Sequence, residues 1–171
     1  MRDLFKGELM MFWVIEKMIV YFGNDVRRIN HALKVHGFAF AISSMEHVSE
    51  KEAQIIGLAA VLHDIGIKEA ERKYNSTAGK FQEIEGPPIA KQILENNAVE
   101  SEIIDRVCYL IGNHHSYQKI DGLDFQILIE ADFLVNIFET NIDKNAIESI
   151  RKKYFKTKKG TELLATMYLV D

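Results

Sequence analysis

"LAAVLHDIGI", residues Leu58 to Ile67, sets an imidazole and a carboxylate side by side in the middle of an apolar run. Leucine would fit either place. An unpaired polar group buried there costs roughly 2–7 kcal/mol, and an unpaired charge more. A chain that keeps His63 and Asp64 in this setting must therefore hold something that compensates both. A metal ion does so, because it neutralises the carboxylate and takes a nitrogen lone pair. Neighbouring helix positions point about 100° apart, so both side chains meet one atom only if it lies above the helix, as an ion can.

Working outward, two more helices carry donors on apolar faces. His31 lies in "RRINHALKV" (27–35), among Ile29, Ala32, Leu33 and Val35. Asp132 lies in "LIEADFLVN" (128–136), flanked by Ile129, Phe133 and Leu134. Taken singly, each reads as a hydrogen-bonded core residue. Taken with His63 and Asp64 they form a set of two imidazoles and two carboxylates, suited to a divalent transition metal (Fe, Mn, Zn, Co or Ni) rather than to sulfur-rich structural zinc. His36 and His47 have no such company and read as packing or surface residues.

The surrounding pattern is helical almost throughout. Gly23-Asn24-Asp25 ends a first helix and caps a second, and Ser49 with Glu52 is a capping box that opens the helix carrying the motif through Ile65. "KEAERKYNSTAGKFQEIEG" (68–86) reads as polar and turn-rich, with Pro87 and Pro88 in the first turn of the next helix. A helix from Ser101 to about Asn113, the loop "HHSYQKIDGLD", the helix "FQILIEADFLVNIFE", a helix begun by Asn141 or Asp143, and "TELLATMYLV" complete the chain. The expected fold is all-α, with seven or eight helices in one domain spanning 1–171. Its core is 25–140, its N-terminal helix 3–22, and its C-terminal helices fill 141–170.

Composition bounds the function. The chain has 171 residues, is 47% hydrophobic and 27% charged, and carries a net charge of −4. That balance argues against duplex nucleic acid or an anionic membrane as partner. One cysteine, Cys108, excludes an internal disulfide, fits a reducing cytoplasm, and reads as a small core residue. The apolar stretch "LMMFWVIEKMIVYFG" (9–23) is interrupted by Glu16 and Lys17 well short of the ~20 residues a membrane span needs, and no signal-type cleavage site follows. It reads as a core helix, with a homodimer surface as the alternative.

The order His31, His63-Asp64, Asp132, each element on its own helix, resembles the HD-domain superfamily of metal-dependent phosphohydrolases from about Val26 to Ile137. The resemblance implies that His31, His63, Asp64 and Asp132 hold one metal, with water activated for attack on phosphorus. Some members carry a second metal, for which His114-His115 fits the usual histidine pair and Asp64 the bridging group. There the chain has Gln82 in place of a histidine, and Glu85, three positions on, is the oxygen ligand expected in its stead. The other reading makes Glu83 and Glu85 a solvated acidic turn and the histidine pair a polar helix end. The family's lysine in "HDIGK" stands one residue later here, as Lys68, and Arg28 lies one turn before His31; both are expected to contact a substrate phosphate. The basic run "RKKYFKTKKG" (151–160) reads as a solvated face.

The activity so implied is hydrolysis of a phosphate ester, mono- or diester, of a nucleotide or related small phosphorylated metabolite, with Asp64, Lys68 and Arg28 as catalytic groups. Two alternatives stand beside it: a di-iron oxygenase of the same superfamily, and a noncatalytic metal-binding sensor module.

Overall fold

A computed structural model of the chain describes residues 2–97 and 99–170, with residues 2–6 and 8 by backbone alone. Among them are nine α-helices and one 3-10 turn, Tyr117–Lys119, and no strand. The first helix, α1 (Arg2–Phe22), ends at Gly23, and Asp25 caps α2 (Val26–Met45) by accepting from the Arg28 N–H at 3.2 Å. Ser49 and Glu52 form both bonds of the expected capping box at the start of α3 (Glu50–Leu62). Caps of this kind stabilise a helix by about 1 kcal/mol each.

Every residue of α3 from Ile55 to Leu62 is buried. A helix apolar on all sides belongs in the middle of a bundle, and α1, α2, α6 (Ser101–Ile111) and α7 (Leu123–Glu139) all pack on it. α2 also packs along α7. α5 (Gly79–Glu95) lies between α6 and the short α4 (Ile67–Tyr74), while α8 (Lys144–Tyr154) and α9 (Lys158–Tyr168) pair and lean on α7. One apolar cluster runs through the molecule from Val14 of α1 to Leu164 of α9. No helix among the described residues is long and apolar enough to cross a membrane.

The all-α expectation holds, with three local corrections. α3 stops at Leu62, so His63 and Asp64 stand on a tight turn rather than on the helix. Its bonds run from Ile65 N to Leu62 O and from Ile67 N to Asp64 O, 3.0 Å each. The ninth helix is α4, in a segment that reads as a connection because Ala70 is its one buried residue and ion pairs such as Arg72–Glu69 hold its polar surface. Finally, α5 begins at Gly79, which leaves Pro87 and Pro88 inside it rather than in its first turn. Packing against α4 and α6 holds the helix together across the missing N–H groups.

Close approach fixes the turn after α3. A Cβ on Gly66 would lie 2.5 Å from Gln82 O and 2.5 Å from Gly86 N. Glycine is therefore required where the His63-Asp64 corner meets α5.

Candidate metal centre

Two helix ends in this protein use the same device. The last carbonyls of a helix have no partner within it. After α3, His63 donates from Nδ1 to the Ala60 carbonyl at 2.9 Å, and after α6, His114 donates from Nδ1 to the Ile111 carbonyl at 2.7 Å. A carbonyl only accepts, so each Nδ1 carries the proton and each Nε2 turns a bare lone pair inward. His31, on α2, directs Nδ1 to Glu139 Oε2 at 3.0 Å, and Lys34 in turn pairs with Glu139. Its Nε2 also faces the interior.

The inward atoms converge. His31 Nε2 lies 3.2 Å from His63 Nε2 and 3.2 Å from Asp132 Oδ1. His63 Nε2 lies 3.6 Å from Asp132 Oδ1, and Asp64 Oδ2 is 3.6 Å from both imidazole nitrogens. Ligands about 2.1 Å from one ion stand roughly 3.0–3.4 Å apart around it. The observed separations fit that spacing, and the donor set is all acceptors. Protein atoms alone share the single proton of the His31 Nε2 among His63 and the carboxylates, whereas a cation in its place satisfies all four groups at once. The residues present thus fit a divalent metal.

Electrostatics agree. Burial opposes charge on His31, but Asp132, Asp64 and Glu139 outweigh it and raise its pKa to about 9 in the absence of metal. Burial dominates at His63 and holds it below the ordinary imidazole value despite Asp64 and Asp132. Burial would raise Asp64, yet His63, His114 and His31 together keep it well below the usual carboxylate range. Asp132 is likewise lowered, against burial, by His31 and His63.

A second group shares Asp64. Its Oδ1 lies 3.4 Å from His114 Nε2, and ligand atoms of Asp64, His114 and His115 all fall within 4.8 Å of one another. His114 Nε2 and His115 Nε2 are buried without hydrogen-bond partners. Burial, then the adjacent His114, push His115 down to about 4, so it stays neutral at pH 7. Asp64 thus offers one oxygen to each group, as a bridging carboxylate would.

Of the residues singled out from sequence, His31, His63, Asp64, Asp132, His114 and His115 come together. Three do not. Glu85 is turned towards α4, where its carboxylate accepts from Lys73 Nζ at 2.5 Å and Tyr74 Oη at 2.9 Å. Lys68 lies one residue too far along α4 to face the cluster; its Nζ donates to the Tyr21 carbonyl at 2.7 Å, at the C-terminal end of α1. Arg28 makes a bidentate pair with Glu71, at 2.9 and 2.6 Å, and meets Asp25 at 2.9 Å.

Four residues gain roles that the sequence reading missed. Glu139 orients His31, and Asn136 donates to Asp132 Oδ1 at 2.7 Å. Their signal was present, since they follow Asp132 by four and seven residues on one helix face. Glu83 accepts from His115 N at 3.1 Å and Ser116 Oγ at 3.3 Å, tying down the histidine turn. Gln82 donates to the Thr77 carbonyl at 2.6 Å, which leaves its Oε1 a buried acceptor with no donor.

No protein-family model matches the chain, and no curated protein matches it. Among solved structures it is similar to a predicted HD superfamily hydrolase from an uncultured Thermotogales bacterium. The two share 22% identity at a TM-score of 0.67, over 91% of this chain and 83% of that one. The similarity covers most of the chain, and on that basis the chain shares the fold of that protein.

Proposed function

We propose that the protein is a metal-dependent phosphohydrolase acting on a phosphate ester of a nucleotide or related small metabolite. The observation that carries this reading is the convergence of the inward-facing Nε2 atoms of His31 and His63, 3.2 Å apart and flanked by two carboxylates. A divalent ion there supplies Lewis acidity, acidifying water towards a pKa of ~7 and drawing charge from phosphoryl oxygens. His63 and His114 are held in one tautomer by backbone carbonyls, and His31 by Glu139, so no reorientation is needed when a ligand arrives. Asp64, kept ionised, accepts a hydrogen bond from the attacking water and orients it. With Lys68 and Arg28 committed elsewhere, a bound metal would be left to balance charge developing on the phosphoryl group, and His114, its Nε2 3.4 Å from Asp64 Oδ1, steadies that carboxylate.

Purified protein should contain a transition metal and release phosphate or cleave the ester in a panel of nucleoside monophosphates, dinucleotides and a generic diester. Asp64→Asn should abolish turnover while the circular dichroism spectrum stays the same. Undiminished turnover in that variant would refute the role of Asp64. The sharing of Asp64 between two histidine groups favours one second reading, a two-iron oxygenase. Stoichiometric iron, oxygen consumption and no phosphate release under anaerobic conditions would select it.

A further inference from the structure

The outward face of α1 is apolar where a surface helix is normally polar. Val14, Met18 and Phe22 point into the core, whereas Leu9 is 56% exposed, Phe12 65%, Trp13 45%, Ile19 39% and Val20 70%. Leu9, Trp13, Glu16 and Val20 recur at spacings of four, three and four residues, which is one straight stripe along the helix. Phe12 and Ile19 border it on one side and Lys17 on the other. Contiguous apolar area of this kind marks an interaction surface.

We propose that this face binds a second copy of the chain through an antiparallel pairing of α1 with α1. Charge selects both partner and direction. Between Leu9 and Phe22 the charged residues are Glu16 and Lys17, adjacent and exposed. A two-fold axis passing between positions 16 and 17 brings each Glu16 opposite the partner's Lys17. The same axis sets each Trp13 against the partner's Val20. A parallel pair would instead juxtapose like charges. Such a two-fold contact is self-complementary and closes at two copies.

The area is sufficient. At about 200 Å² for a fully exposed large side chain, the five apolar residues leave roughly 550 Å² per chain and roughly 1,100 Å² across two copies, just above the ~1,000 Å² that a specific interface should clear. A lipid surface fits less well. The helix carries Arg2, Lys6 and Lys17 against Asp3, Glu8 and Glu16, and the chain as a whole is −4, so nothing draws it to anionic headgroups.

The test is sedimentation equilibrium of the full chain from 1 to 100 μM. Trp13 emission is followed in parallel, since Trp13 is the one tryptophan. The expected result is twice the chain mass, with emission moving to longer wavelength on dilution in step with dissociation. Val20→Glu, at a position 70% exposed, should give a folded monomer. Glu16→Lys should weaken pairing at least tenfold, and Glu16→Lys/Lys17→Glu should recover it. A monomer at all concentrations overturns the proposal, as does a dimer indifferent to Val20→Glu. Failure of the charge exchange to recover pairing overturns the antiparallel register. Binding of a monomer to vesicles of phosphatidylcholine with phosphatidylserine assigns the face to lipid instead and equally overturns it.

Discussion

Glu130 and Asp132 lie two residues apart on α7, both acidic and both buried, and they point to opposite sides of the helix. Glu130 is fully enclosed and surrounded by donors. Its Oε1 accepts from Gln126 Nε2 at 2.7 Å, Lys156 N at 2.6 Å and Thr157 N at 2.9 Å, and its Oε2 accepts from Thr157 Oγ1 at 2.5 Å. The carboxylate thereby holds the corner between α8 and α9, and a Cβ on Gly160 would lie 2.0 Å from Oε2. Asp132 has one donor outside the cluster, Asn136, and otherwise faces the Nε2 atoms of His31 and His63. The protein satisfies the first acid from its own backbone and leaves the second to be satisfied from outside. That contrast, more than acidity or burial alone, separates a structural carboxylate from a ligand.

The comparison breaks most visibly by mutation. Asp132→Asn should lose bound metal and lower turnover by ~10³-fold or more. Its metal-free fold should remain, because the amide keeps an oxygen for Asn136 and adds a donor beside the His63 lone pair. Glu130→Ala should do the reverse, lowering stability by ~3–5 kcal/mol through the Thr157 N–H and hydroxyl, both buried, and the Lys156 N–H left without an acceptor, with metal per folded chain unchanged. Denaturant unfolding and metal analysis on the same preparations decide the matter. If Glu130→Ala loses metal and keeps its stability, the contrast is misassigned.

Acidity sharpens it. His31 in the metal-free protein titrates at about 9, above the ordinary 6.5. A raised imidazole pKa stabilises the fold fully below pH 6.5, and the contribution, up to ~3 kcal/mol, is lost as pH rises through 9. Binding a cation requires that same proton to leave, so metal affinity should rise with pH across this window while metal-free stability falls. Unfolding midpoints at pH 6.5 and 9.5, with and without zinc, should show opposite trends.

The smallest effect concerns the outer contacts. Glu139→Gln keeps a hydrogen bond to His31 but removes the charge, and should lower metal affinity by ~10–100-fold with little change in fold. Titration against a competing chelator reads this directly, and an unchanged affinity would show that Lys34 and Glu139 merely cover the site.

Much of the fold was legible locally. Asp25, Ser49 and Glu52 announce helix starts through their own side chains, and unbroken apolar runs such as Ile55–Leu62 announce the central helix. The segment 67–86 was not legible, because α4 has an almost wholly polar surface and α5 runs on through two prolines. Both are held by neighbours far along the chain, and periodicity carries no trace of that.

The chain alone determined which groups are too costly to bury unaided, and so named His31, His63, Asp64 and Asp132; the histidine pair was named by the family resemblance. Whether a donor or a further acceptor meets each buried group is a matter of distances across helices. Only the folded molecule could therefore send Glu85 to Lys73, Lys68 to the end of α1 and Arg28 to Glu71, while bringing the Nε2 atoms of His31 and His63 face to face. Composition along a helix fixes how much a polar group needs a partner, and tertiary packing fixes which partner it finds.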